Sequence, residues 1–137
     1  MSVTTIATVT LTDQDKSVLR SAAYGAVSLL AAAGAKGNAQ ASIALTSATG
    51  VVGHVLSAKS RDIVLPGRTV AEFAEHVFPN LTAAMAILER QSPAEADNFR
   101  STVLVAVEAA VHSRKGAPSP VVNAMARKIA DALDAVY

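Results

Sequence analysis

Cysteine is absent from the 137 residues, which removes disulfides, thiolate metal sites and cysteine nucleophiles together. Tryptophan is absent as well, and aromatic residues make up only 4% of the chain, so stacking platforms for single-stranded nucleic acid are lacking. Charge is scarce. Charged residues are 17% of the chain where about a quarter is usual, and twelve basic against eleven acidic side chains leave a net +1. Bulk electrostatics therefore offers no case for nucleic acid as a partner. Met1 to Leu11 contains no Lys or Arg, so no secretory leader is expected. The longest uncharged candidate for a bilayer crossing, Gly37 to Ala58, carries Asn38, Gln40, Ser42, Thr46, Ser47, Thr49 and His54. Those polar groups are too many to leave in hydrocarbon, so the expectation is a cytoplasmic protein with no membrane span.

What is present is apolar aliphatic side chain. Hydrophobic residues are 51% of the chain and the mean hydropathy is +0.35, which excludes a disordered polymer. So thin a charged coat implies a large core, or an apolar surface covered by another subunit or a ligand.

Residues 1–11, with Val3, Thr4, Thr5, Ile6, Thr8, Val9 and Thr10, read as an extended N-terminal arm, since β-branched side chains favour extended backbone. Residues 12–137 read as one helical domain. Thr12 caps helix one, with Asp13 and Asp15 at its positive end. Val18, Leu19, Ala22, Ala23, Ala26, Val27, Leu30 and Ala33 follow the helical period, and Gly34 and Gly37 close it. Helix two runs from Asn38 toward Ser57, kinked or split by Gly50 and Gly53. A long connection from Lys59 to Arg68 turns at Pro66-Gly67 and packs down through Ile63, Val64 and Leu65. Thr69 and Glu72 cap helix three, which Pro79 is expected to end near Phe78, and Asn80 caps helix four. Ser92-Pro93-Ala94-Glu95 opens helix five with a cap, an N1 proline and a reciprocal glutamate. The run Arg114 to Pro118 stops helix five. Ser119-Pro120 starts helix six, with Val122, Met125, Ile129, Leu133 and Val136 as its apolar stripe.

The fold class is thus all-α, a single domain of about six helices. Leu19-Arg20-Ser21 and Phe99-Arg100-Ser101 occupy equivalent places in helices one and five. Ala26-Val27 matches Ala106-Val107, and Lys36-Gly37 matches Lys115-Gly116 with one residue slipped. Two helix–turn–helix units related by an internal repeat would give this pattern, as would chance in Ala- and Val-rich helices. Ala22 to Leu45, and more so Val103 to Leu133 with its final Ile129-Ala130-Asp131-Ala132-Leu133, resemble the TerB-like fold of tellurite-resistance proteins. That resemblance implies a duplicated helical unit and an association with metal stress and membrane-associated sensing complexes. The family's turns carry Asp-Gly followed by clustered acids. This chain has Lys36-Gly37-Asn38 and Lys115-Gly116-Ala117 there, so the resemblance carries over no metal site.

Glu72 with His76, and Glu108 with His112, are two pairs spaced four apart, each on one helix face. Were their helices to meet, two carboxylates and two imidazoles would suit a metal; the cap at Thr69 and a solvated face are the plainer account. Glu108 lies in an apolar run, Val103 to Val111, that reads as mostly buried, so its carboxylate needs a partner among Arg20, Arg100 and His112. The alternative is an exposed strip on an otherwise buried helix. Tyr24, Arg20, Glu108 and His112 are the candidates to orient the polar end of a small apolar ligand. Lys36, Gly37 and Asn38 form a candidate anion site at a helix start, within a stretch whose charges are Lys16, Arg20, Lys36, Lys59 and Arg61. No nucleophile turn, phosphate loop or cofactor motif accompanies these residues, so no cofactor is expected. The expected function is a non-catalytic interaction or oligomerisation module, a homodimer, tied to stress response by the resemblance. The alternatives are a binder of a small apolar ligand and a metal-dependent enzyme using the Glu/His pairs.

Overall fold

A computed structural model describes residues 10–57, 69–112 and 119–135. Most of the expected N-terminal arm, the Lys59–Arg68 connection, the Arg114–Pro118 stop, and Val136 lie outside the described residues. Thr12 opens α1, Asp13–Ala33, with a complete capping box. Asp15 N–H donates to Thr12 Oγ1 at 3.0 Å, and Thr12 N–H donates to Asp15 Oδ2 at 3.1 Å. A Schellman turn at Gly34 ends the helix, with Ala35 N–H bonded to the Leu30 carbonyl at 2.9 Å. Just upstream of α1, the backbone of Thr10 pairs through both N–H and C=O with the Gln91 side-chain amide.

The stretch from Asn38 to Ser57, expected to be kinked or split at Gly50 and Gly53, is split. α2 spans Asn38–Thr46 and α3 spans Gly50–Ser57. Gly50 enters α3 at φ 72°, a conformation that a side chain strains. Gly53 brings α3 back over the preceding turn: a Cβ there would stand 2.0 Å from the Ala48 carbonyl oxygen.

The two helices expected on either side of Pro79 are instead one, α4, Val70–Gln91. Proline in a helix interior removes one N–H bond and costs about 3 kcal/mol. Here Pro79 lies on the exposed face, and so does Glu75, whose carbonyl loses the N–H that Pro79 lacks. Water can satisfy that carbonyl. On the opposite face Val77, Leu81, Ala84, Met85 and Leu88 are fully buried, so burial on both sides of the proline holds the helix together. Asn80 is therefore mid-helix and caps nothing.

Ser92 alone joins α4 to α5, Pro93–Val111, and Ser119 caps α6, Pro120–Asp134, through Val122 N–H at 3.2 Å. The far end of α6 is fastened by Thr82, whose hydroxyl donates to the Ala132 carbonyl at 2.7 Å. It is fastened also by Arg100, which grips Asp134 with Nε–Oδ1 at 2.6 Å and Nη2–Oδ2 at 3.2 Å. That fork holds the Asp134 carboxyl below the usual carboxylate range.

The domain is all-α, with six helices and no strand among the described residues. α1 is its axis and touches each of the other five helices. Its alanines Ala22, Ala23 and Ala26 are at most 1% exposed, and facing alanines Ala41, Ala84, Ala96 and Ala106 are fully buried, so helices approach closely along small-residue seams. The apolar surplus goes mainly into this interior. Among the described residues only Ile43, Val70, Val105 and Val121 are large apolar side chains left exposed. The two units of the expected repeat pack unequally, α2 against α5 and α6 against α4 and α1. The Lys115-Gly116 turn lies outside the described residues, and no repeat is shown.

Candidate functional site

Of the expected ligand-binding residues, the structure brings Arg20 and Tyr24 together. They sit one turn apart on α1 and converge on the C-terminal turn of α3. The Arg20 side chain, 7% exposed, donates from Nη1 to the Val55 carbonyl at 3.3 Å. The Tyr24 hydroxyl donates to the Leu56 carbonyl at 2.7 Å, and burial pushes its phenol above the ordinary tyrosine value. Both groups thus satisfy carbonyls that the end of α3 leaves open, and the guanidinium sits at the negative end of that helix.

The opposite end of α3 is held by residues whose role the sequence did not reveal. Glu95 was expected to reach back to the Ser92 cap. Ser92 Oγ does accept from Glu95 N–H at 3.4 Å, but the carboxylate turns outward. Its Oε1 accepts from Val52 N–H at 3.2 Å and from Asn98 Nδ2 at 3.3 Å, while Asn98 Nδ2 also donates to the Thr49 carbonyl at 2.8 Å. An acid therefore caps the positive end of α3 and a base its negative end, from two different helices. The one signal in the sequence was indirect: α3 has no Asp, Glu, Lys or Arg of its own, although Thr49, a usual cap residue, directly precedes Gly50.

Glu108 lies on an exposed strip of an otherwise buried helix, the alternative to a buried carboxylate, and pairs with one of its three candidate partners. Its side chain is 73% exposed, and its partner is His112 on the next turn, Nε2–Oε2 3.1 Å, itself 58% exposed. The apolar run around it is buried on one face only, through Val103, Ala106, Val107 and Ala110, and Glu108 belongs to the other. Arg100 is committed to Asp134 and Arg20 to α3. Glu72 and His76 are exposed, and Thr69 Oγ1 accepts from Glu72 N–H at 3.1 Å, as the cap reading expects. Among the described residues no three His, Asp or Glu side chains come close enough to hold a metal, so the two Glu/His pairs do not form a joint site. Lys36, Gly37 and Asn38 do stand at the start of α2, where the cap Gly37 makes no side-chain bond to the first N–H groups.

Described residues line two concave surfaces. A shallow groove of about 290 Å³ runs between α2 and α5, lined by Ala44, Ser47, Ala48, Ser101, Thr102 and Val105. α2 contains no charged residue. On the same face of α5 the nearest charges, Asp97 and Glu108, lie about one turn beyond Ser101 and Val105, while Arg100 next to Ser101 reaches Asp134 on α6. Ile43, 63% exposed, stands one turn from Ser47, and Val105 is 58% exposed. The second is a half-open cleft of about 690 Å³ between the chain entering α1 and the first turns of α3, lined by Thr10, Leu11, Lys16, Gly50, Val51, His54 and Val55. No helix among the described residues is long and apolar enough to cross a membrane. Compared with protein-family models, with curated proteins and with solved structures, the chain matches none of them.

Proposed function

We propose that this chain is a non-catalytic helical interaction module that pairs with a second copy of itself through the α2–α5 face. The observation that carries the reading is the uncharged groove between Ile43 and Val105. These are two of the few large apolar side chains left in water, and they stand on helices packed against each other. A two-fold interface lays a patch upon its own copy, so a charged patch would repel itself and an uncharged one does not. Ala44, Ser47, Ala48 and Ser101 are small enough for a partner helix to approach closely. Asp97 and Glu108 then fall at the margin, in the polar rim usual for such contacts. A stable dimer buries roughly 800 Å² per partner, more than the groove itself offers, so the contact extends along the outer faces of both helices. The proposed link to a stress-response system rests only on the TerB-like resemblance of Val103 to Leu133.

Sedimentation equilibrium across a wide concentration range tests the pairing. The expected result is a mass rising above the 14.0 kDa of one chain, and falling back to it in Ile43→Lys and Val105→Lys. Both positions are exposed, so unchanged far-UV circular dichroism separates lost pairing from lost folding. A parent that remains a single chain at every concentration refutes the reading.

A further inference from the structure

Charges are distributed unevenly along the α2–α5 face, and this bears on how two copies of it meet. At one end Asn98 Nδ2 donates to the Thr49 carbonyl, just past the end of α2. The start of α2 lies at the other end, beside the end of α5. Arg100 on α5 grips Asp134 on α6, and twelve residues of helix, about 18 Å, lead from that grip forward to His112 and back to Val122. Val122 touches the turn before α2, where a Cβ on Gly34 would lie 3.9 Å from it. At this end stand Lys36, exposed before the first turn of α2, and Glu108, exposed and holding His112 through Oε2. At the Asn98 end stands Asp97, exposed, while the Glu95 carboxylate near it is turned to α3. Among the described residues neither Lys36 nor Asp97 has an ion-pair partner.

We propose that Lys36 and Glu108 determine which way round two copies pair, each Lys36 meeting the partner's Glu108; this rests on the pairing through the α2–α5 face proposed above. A two-fold axis parallel to the helices exchanges α2 with the partner's α5 and keeps every residue at its own level. Ala44, next to Ile43, lines the groove together with Val105, so Ile43 lands on the partner's Val105. Lys36 then lands at the level of the partner's Glu108, whose Oε1 is left to accept from an ammonium, and the flexible lysine stem spans the remaining gap. An axis across the helices would instead lay α5 on α5 end over end. Asp97 would then face the partner's Glu108, acid upon acid. Opposite charges at a rim fix the register of a contact, and like charges there disfavour the alternative. Arg100, the remaining charge of α5 beside the face, is taken by Asp134.

The test is sedimentation equilibrium of the full chain at low salt and about pH 8, where histidine ordinarily carries no charge. The samples are the parent, Lys36→Glu, Glu108→Lys, and an equimolar mixture of the two variants. Each variant alone sets like charges together at both contacts of a symmetric pair, and is expected to associate about tenfold more weakly than the parent. In the mixture one copy carries two acids and the other two bases, so the mixed pair has both contacts matched. The mixture is therefore expected to return to within about threefold of the parent. Within either variant chain positions 36 and 108 carry the same sign, so recovery on mixing reports contact between copies. Arg114 and Lys115, outside the described residues, are common to all samples and cancel in the comparison. Glu108→Lys associating more tightly than the parent overturns the proposal, because it marks relief of the partner's Asp97 in the crossed arrangement. So do variants that associate as the parent does, or a mixture no tighter than its components. Both positions are exposed; should either reversal alter the far-UV circular dichroism, Lys36→Gln and Glu108→Gln take its place, each expected to weaken association about threefold. A parent that stays a single chain overturns this proposal together with the pairing it rests on, whereas a pairing parent with any contrary variant result overturns the arrangement alone.

Discussion

Gly53→Ala sets two magnitudes of opposite sign against each other. Gly53 is the fourth residue of α3, and in an exposed helix interior replacing Gly by Ala gains about 1 kcal/mol. Here the added Cβ would lie 2.0 Å from the Ala48 carbonyl oxygen and 2.5 Å from its carbon. The obstacle is backbone, so no side chain can swing away. α3 must shift from the turn before it by more than an ångström. That movement strains the Gly53 N–H bond to the Thr49 carbonyl, 3.1 Å, and the Val52 N–H bond to Glu95, 3.2 Å. It also loosens Val52, Val55 and Leu56, each at most 2% exposed. Forced overpacking costs roughly 1–3 kcal/mol, and the disturbed bonds add to it, so the net loss is about 2–4 kcal/mol after the propensity gain. For a chain of this length that lowers Tm by about 6–14 °C. Urea denaturation followed at 222 nm measures it, with an unchanged slope marking a true stability effect. A Gly53→Ala protein as stable as the parent, or more so, would show that α3 does not fold back on Ala48.

The two ends of α3 give further tests. Glu95→Ala should cost about 1–2 kcal/mol by removing the cap on Val52 N–H, and Glu95→Gln less, since an amide oxygen can still accept. Tyr24→Phe should cost about 1 kcal/mol at neutral pH by leaving the Leu56 carbonyl without its donor. Because the folded Tyr24 phenol titrates above its unfolded value, its contribution is fully present below about pH 10 and lost as pH rises through the folded value. The parent should therefore lose stability on the alkaline side faster than the Phe variant, in denaturation midpoints taken across that range. Pro79→Ala should stabilise by about 1–2 kcal/mol, because it restores the bond to the Glu75 carbonyl on an exposed face. A destabilised Pro79→Ala would mean that α4 needs a bend at that point.

Much of this fold is local and was legible as such. Thr12, Thr69, Ser92 and Ser119 mark helix starts because their hydroxyls bond N–H groups within the next turn, and nothing distant is needed for that. Gly34 closes α1 for the same kind of reason. The helical class follows from apolar periodicity and cap residues, and the absence of disulfide and thiolate chemistry from composition alone. Tertiary structure decided the rest. Pro79 weakens a helix locally, yet burial of residues on both sides of it keeps α4 whole. The Val103–Val111 run reads as mostly buried, but only contact with neighbours decides which face is covered, and Glu108 fell on the open one. Glu95 obeys a cap pattern by spacing, but its carboxylate goes to α3, because an uncapped helix end brought close by packing offers it an open N–H. Arg20, Tyr24 and Lys16 share one helix, and sequence spacing could not separate their tasks. The first two face carbonyls at the end of α3 and the third faces a cleft, since only the placement of α3 beside α1 gives each of them something to meet.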